Sequence, residues 1–242
     1  MSPAMTAPRD RLIAALDFPD AQAALEEVLR LEGLIQWFKV GLELYLSAGA
    51  SLVEKLKDQG YSVFLDLKFH DIPNTVAAAV RSVSKLEPEM LTLHASGGPA
   101  MMRAAAEAAA SLPRTPRLLA VTVLTSMDQA QLTSVGVADA PAGQALKLAR
   151  LAAECGIGGL VCSPEEAQEM KHALPSSCIV TPGIRPAEAA VGDQKRIATP
   201  AAAIHAGADY LVVGRPIFRA NDPARAAQAI LEEIAGAMGS TK

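Results

Sequence analysis

Short apolar runs alternate with longer amphipathic stretches from one end of this chain to the other. The runs lie at Arg11–Asp17, Trp37–Gly41, Ser62–Asp66, Met90–His94, Arg117–Leu124, Gly159–Ser163, Cys178–Pro182 and Tyr210–Gly214. Most are continuously apolar, the pattern of strands that helices bury on both faces of a parallel sheet. Between them the spacing predicts helices over Asp20–Leu31, Glu43–Gln59, Thr75–Leu86, Pro99–Ser111, Ala142–Glu154, Pro164–His172, Pro200–Ala206 and Pro223–Ile234. Their ends are punctuated as helices require. Pro164 follows Ser163 and Pro223 follows Asp222, while Gly60 and Gly156 come just after helical stretches.

Strands and helices in strict alternation, at about thirty residues per unit, match the βα repeat of a closed (β/α)8 barrel of ~250 residues. The predicted class is α/β, a single (β/α)8 TIM barrel over residues 1–242, with 1–9 a flexible N-terminal extension. No linker or compositional shift divides the chain. An open doubly wound sheet is the alternative, but no Gly-x-Gly-x-x-Gly follows the first strand to favour it. Gly183–Thr199, after the seventh strand, is the one long irregular stretch. A loop of more than about twelve residues inside a compact domain is more often a functional lid than slack.

Half of the 242 residues are hydrophobic and 20% are charged, enough to bury a sizeable core. Aromatics are only 4%, which suits helices packed on strands better than a β-sandwich. Lys+Arg 22 against Asp+Glu 26 leaves a net charge of -4, which does not advertise nucleic-acid or anionic-membrane binding. Cys155, Cys162 and Cys178 form no CxxC pair and read as reduced, buried thiols. The first ten residues do not resemble a signal peptide, and no apolar run approaches the ~20 residues of a membrane span. The expected location is the cytoplasm.

Reactive groups of such barrels come from the C-terminal ends of the strands. Here the first strand ends in Asp17, the second carries Lys39, and the third runs into Asp66, Lys68 and, in the following loop, Asp71. Asp66 and Lys68 are two apart and so share one face of a strand. A lone pair of this kind is often a solvated ion pair of ~0–1 kcal/mol. Five groups of alternating sign at three adjacent strand ends, framed by apolar Phe64, Leu65, Leu67 and Ile72, point instead to an active site. The loops after strands seven and eight commonly bind phosphate. Here they read Thr181-Pro182-Gly183-Ile184-Arg185 and Val213-Gly214-Arg215-Pro216, with glycines for close backbone approach and arginines for an anion. Gln194 is a candidate to close over the same phosphate. His94 is open between a base or ligand and a hydrogen-bonded structural histidine, and His70 between a site role and a solvent-facing one. Thr125 and Ser126 either bond a base edge or cap a turn. No partner stands at metal-ligand spacing from His94, so no metal is assigned.

With these residues the chain resembles the orotidine 5′-phosphate decarboxylase family, bacterial type, over essentially its whole length. The resemblance rests on Leu16-Asp17, Phe38-Lys39-Val40-Gly41, Leu65-Asp66-Leu67-Lys68-Phe69-His70-Asp71-Ile72-Pro73-Asn74-Thr75, Leu124-Thr125-Ser126 and both phosphate loops. The Asp-x-Lys-x-x-Asp core alone is shared with related sugar-phosphate barrels. Extended to Ile-Pro-Asn-Thr and joined in order to both loops, it is specific. The resemblance implies a homodimer that converts orotidine 5′-monophosphate to UMP and CO2, the last step of de novo UMP synthesis, without a cofactor. It implies a catalytic array of Lys39, Asp66, Lys68 and Asp71, the last donated across the dimer interface. Asp17 and Lys39 would then meet the ribose, Ser126 the pyrimidine, and Gln194, Gly214 and Arg215 the phosphate. Asp66, Ile72, Thr75, Thr125, Pro182 and Arg185 complete the implied substrate contacts. Lys68 would stabilise a C6 carbanion and protonate it. Asp66 would either raise the ground state or hold Lys68 charged and oriented. Two rival readings are an Mg²⁺-dependent enzyme acting on a sugar phosphate through an enediolate and a non-catalytic nucleotide-binding protein.

Overall fold

The computed structural model describes residues 7–186 and 196–239. Eight parallel strands close into a barrel in sequence order, with β8 pairing back onto β1. They are β1 (Leu12–Leu16), β2 (Trp37–Gly41), β3 (Ser62–Phe69), β4 (Met90–His94), β5 (Arg117–Val121), β6 (Gly159–Val161), β7 (Cys178–Thr181) and β8 (Tyr210–Val213). The helices are α1 (Ala21–Arg30), α2 (Leu42–Ala48), α3 (Ala50–Asp58), α4 (Pro73–Val83), α5 (Gly98–Ala110), α6 (Gln129–Ser134), α7 (Pro141–Glu154), α8 (Pro164–Ala173), α9 (Pro200–His205), α10 (Arg215–Phe218) and α11 (Pro223–Gly239). This is the (β/α)8 architecture that the alternation predicts.

Several boundaries differ, each for a local reason. The single helix expected over Glu43–Gln59 is two, because Gly49 adopts φ +69°, a left-handed conformation that ends α2 and starts α3. Strand β6 stops at Val161 rather than Ser163, since Ser163 is the N-cap of α8 in a reciprocal box with Glu166. Strand β7 stops before Pro182, which has no N–H for the ladder. The short helix α6 was not expected, although Asp128 and Gln131 form its capping box. Of the expected N-terminal extension, residues 1–6 lie outside the described residues. Pro8–Asp10, by contrast, form a 3-10 turn against α11.

Strand alternation sorts the core into two shells. Leu12, Phe38, Leu65, Leu91 and Leu211 face outward under the helices, while Ile13, Ala15, Phe64, Met90, Leu119, Val180, Tyr210 and Val212 plug the barrel. One step of two residues beyond that plug brings up Asp17 after Ala15, Asp66 after Phe64, Thr92 after Met90 and Gly214 after Val212. The packing of the interior thus sets the floor on which the polar residues stand.

Candidate active site

A charged chain crosses the C-terminal mouth of β1, β2 and β3. Lys39 Nζ donates to Asp17 Oδ1 at 3.0 Å and lies 3.7 Å from Asp66 Oδ2. Lys68 Nζ donates to the same Asp66 oxygen at 2.7 Å. Lys39 and Asp66 are both buried. Burial works to raise the pKa of the Asp66 carboxyl. Lys39 and Lys68, with hydrogen bonds from Lys68 and Thr92, outweigh that and hold it below the ordinary carboxylate range. Gly41 gives Lys39 its room: a Cβ there would lie 3.0 Å from Lys39 Nζ.

Asp66 and Lys68 do meet, though simple alternation is not the cause. Strand β3 runs three residues beyond its expected end, and its register against β4 shifts between Leu65 and Phe69. Within that bulge Lys68 takes φ +50°, which side-chain-bearing residues seldom adopt. Its N–H donates to Thr92 Oγ1 at 2.9 Å, and the Thr92 hydroxyl donates to Asp66 Oδ1 at 2.9 Å. Bulges recur beside active sites because they re-aim a side chain.

The four charged groups, without Thr92, line a cavity of about 230 Å³ together with apolar Phe64, Val121, Val123 and Val161. Its lining brings together Asp17, Lys39, Asp66, Lys68, Thr125, Pro182, Arg185, Gly214 and Arg215 from the ends of six strands or the loops after them. Arg185 is buried, and its guanidinium donates to the carbonyl of Ile184 at 2.8 Å. Arg215 opens α10 immediately after Gly214. A Cβ on Gly214 would stand 3.3 Å from Asp17 Oδ2, so the glycine keeps β8 and β1 close at the mouth.

Asp71, Ile72, Thr75 and Ser126 are exposed and do not line this cavity. Asp71 Oδ1 accepts from the N–H of Ile72 at 2.6 Å. Gln194 lies outside the described residues. His70 and His94 lie with ring centroids 5.5 Å apart and their planes tilted by 35°, and burial, then the charges of His70 and Lys68, press the His94 pKa down. Cys155, Cys162 and Cys178 are free and buried, with Cys162 in the cavity wall. Among the described residues, no three His, Cys, Asp or Glu side chains are grouped to hold a metal ion. Nor is any described helix long and apolar enough to cross a membrane.

Two residues with structural consequences escaped the sequence reading. Thr92 looked like one more residue of an apolar strand, and only the strand register shows it opposite the charged bulge. Arg196, buried at the end of the long loop, pairs with Glu166 and donates to Ser163 Oγ at 3.2 Å. It also donates to the carbonyls of Val123 and Leu124 at 3.2 and 3.0 Å. Burial pushes the Glu166 pKa up against the opposing pull of Arg196. The two stems of the loop are bridged, Arg185 N–H donating to Ala198 O at 2.9 Å. The described C-terminal stem of the loop is therefore pinned, at Arg196, to the segments that follow β5 and β6.

The model of the Orotidine 5'-phosphate decarboxylase / HUMPS family matches residues 10–230. A protein of Opitutus terrae named orotidine 5'-phosphate decarboxylase is 51% identical over 224 residues, 92% of this chain and 97% of that one. One of the same name from Halorhodospira halophila is 53% identical over 228 residues, 94% of this chain and 97% of that one. The crystal structure of orotidine 5'-phosphate decarboxylase from Lactobacillus acidophilus superposes with a TM-score of 0.81 at 38% identity, covering 93% of this chain and 98% of that one. A barrel with this charged mouth, matched by the family model over nearly its full length and about half identical to those relatives, belongs to the orotidine 5′-phosphate decarboxylase / HUMPS family.

Proposed function

We propose that this chain decarboxylates orotidine 5′-monophosphate to UMP and CO2, the last step of de novo UMP synthesis, with Lys68 as the proton donor. One observation carries the reading. Lys68 Nζ sits 2.7 Å from Asp66 at one side of a cavity whose lining also includes Gly214 and Arg215, the phosphate candidates. Breaking the bond from C6 to the carboxylate releases CO2 and leaves the electron pair on C6. No adjacent carbonyl takes up that charge, so a fixed ammonium is the main stabiliser available. Lys68 provides it, then transfers a proton to C6 and is reprotonated from solvent. Asp66, ionised between two lysines, keeps Lys68 charged and aimed. Asp17 and Lys39 bind the ribose hydroxyls, and Thr125 and Ser126 stand at the pyrimidine. Arg215, the Gly214 amide, Pro182, Arg185 and Gln194 serve the phosphate end. Binding energy there lowers the barrier through closure of the loop after β7.

The active unit in this proposal is a homodimer in which the partner subunit's Asp71 completes the array, with Ile72 and Thr75 beside it. Exposed apolar Leu42, Leu46 and Ile72, on segments that follow the neighbouring strands β2 and β3, support such a contact. The test is the ultraviolet absorbance of orotidine 5′-monophosphate followed with purified protein, with and without chelator. Turnover that survives chelation is expected. Turnover abolished by chelation would favour the Mg²⁺-dependent sugar-phosphate chemistry, and binding without turnover would favour a nucleotide-binding protein.

A further inference from the structure

We propose that Thr92 is a positioning residue for this reaction, its hydroxyl holding the Asp66 carboxylate and the Lys68 backbone in fixed relation. The inference rests on the roles given above to Asp66 and Lys68. Thr92 is fully buried and absent from the cavity lining, so it acts through its neighbours rather than on substrate. Its hydrogen-bond roles are forced. A backbone N–H can only donate, so Oγ1 accepts from Lys68 at 2.9 Å, and the one hydroxyl proton goes to Asp66 Oδ1 at 2.9 Å. The bond on Oδ1 turns the other carboxylate oxygen, Oδ2, toward Lys68 at 2.7 Å and Lys39 at 3.7 Å.

The backbone half of the contact is equally specific. Leu65 pairs with Leu91 and Phe69 with Leu93, so four steps on β3 face two on β4, and the surplus is the bulge carrying Lys68 at φ +50°. Such a conformation persists only where its surroundings over-determine it. The hydrogen bond that the Lys68 N–H donates to Thr92 Oγ1 is a direct tether on that residue. An apolar side chain at position 92 would fill the space while leaving a buried carboxylate oxygen and a buried amide each short of a partner.

The test compares wild type with Thr92→Ser, Thr92→Ala and Thr92→Val by kcat, KM, pH profile and UMP binding. Ser and Ala both remove the methyl and differ in the hydroxyl alone. Thr92→Ala and Thr92→Val are expected to lose about ten- to a hundredfold in kcat, the range for a hydrogen bond to a charged group. Their KM and UMP affinity should stay within about threefold, because ground-state binding is untouched. Thr92→Ser should stay within about threefold of wild type in every parameter. The hydroxyl favours ionised Asp66, so its loss raises that pKa. The acid limb of kcat/KM then moves to higher pH in the Ala and Val variants and stays in place in Ser. The other charged and titratable groups around Asp66, namely Lys39 with Asp17 behind it, Lys68, and His94 beside His70, are present in all four proteins. A Ser variant as slow as Ala, or Ala and Val at wild-type rate with an unmoved acid limb, would overturn the proposal. So would Ala and Val chains that fail to fold while Ser folds, since the hydroxyl would then be a folding requirement. Wild type that leaves orotidine 5′-monophosphate unchanged would refute the reading of the reaction instead.

Discussion

Gly41→Ala isolates the position of one ammonium group from the stability of the barrel. Gly41 has φ −94° and ψ −177°, extended backbone that alanine adopts without strain. Its added Cβ would stand 3.0 Å from Lys39 Nζ and 3.8 Å from Asp17 Oδ1. Non-bonded heavy atoms rest at about 3.5 Å or more, so the end of the lysine must retreat by about half an ångström. That retreat costs little, because the side chain is flexible at its tip, but it loosens the 3.0 Å bond to Asp17 or the 3.7 Å approach to Asp66. A misplacement of 1 Å at a reacting centre costs ~10²-fold, so half of that predicts about a tenfold loss of kcat/KM, or ~1.4 kcal/mol. Stability should hold or rise slightly, since replacing glycine in a strand removes a penalty of roughly 0.5–1 kcal/mol. Gly143→Ala in α7, where the new methyl would have nothing within 4 Å, is the control and should leave activity unchanged. Absorbance kinetics and thermal unfolding by circular dichroism read both quantities. Full activity in Gly41→Ala, or a loss that tracks a fall in Tm, would refute the steric argument.

Lys68→Ala should abolish nearly all turnover while UMP affinity, measured by calorimetry, changes far less; near-normal kcat would remove Lys68 from the proton-donor role. Arg215→Ala should raise KM for orotidine 5′-monophosphate yet hardly alter the slow turnover of orotidine lacking phosphate. Equal harm to both substrates would make Arg215 structural. Mixing Lys68→Ala with Asp71→Asn under subunit exchange should restore activity, to about half the wild-type sites per heterodimer, because two-fold symmetry collects both lesions in one site. Heterodimers confirmed by sedimentation but inactive would return Asp71 to its own chain's site.

The barrel was legible because its buried strands are apolar runs of the right length at a steady interval, and burial on both faces leaves few other readings. Charged residues at strand ends were legible for the converse reason: Asp17, Lys39 and Asp66 interrupt runs that otherwise admit only apolar side chains. Thr92 was not, since threonine suits a strand as well as valine does, and its partners lie 26 and 24 residues back in the chain. The bulge at Lys68 was hidden for a related reason. Neither Gly nor Pro marks it, and tertiary contacts with β4 enforce a backbone conformation that lysine disfavours. Arg196 sits in a loop whose composition read as a lid, where an arginine passes for an anion ligand. Its burial against Glu166 and two β5-end carbonyls emerges only when β5, β6 and the loop are assembled.

The charge balance of the array gives the dimer proposal its physical sense. Asp17, Lys39, Asp66 and Lys68 alternate in sign, two carboxylates against two ammoniums, so this four-residue array is balanced in itself and each of its charges has a partner. Pairing offsets part of the desolvation cost of these charges, whereas removing one partner would leave a strongly destabilising buried charge. In the proposed complex the partner's Asp71 and the substrate carboxylate make four negative groups against two positive ones. Loss of CO2 removes one carboxylate from this crowd and moves its charge to C6, the carbon that Lys68 faces. From bound substrate to transition state the number of negative charges is unchanged, but one of them moves away from the carboxylates and onto the carbon beside the Lys68 ammonium. Only an interaction that strengthens between those two states speeds the chemical step. In the proposed dimer Asp71 serves this difference by arriving from outside an array that is already balanced. Its exposure on the isolated subunit fits that role, whereas a residue built into the neutral array would have been compensated before substrate bound.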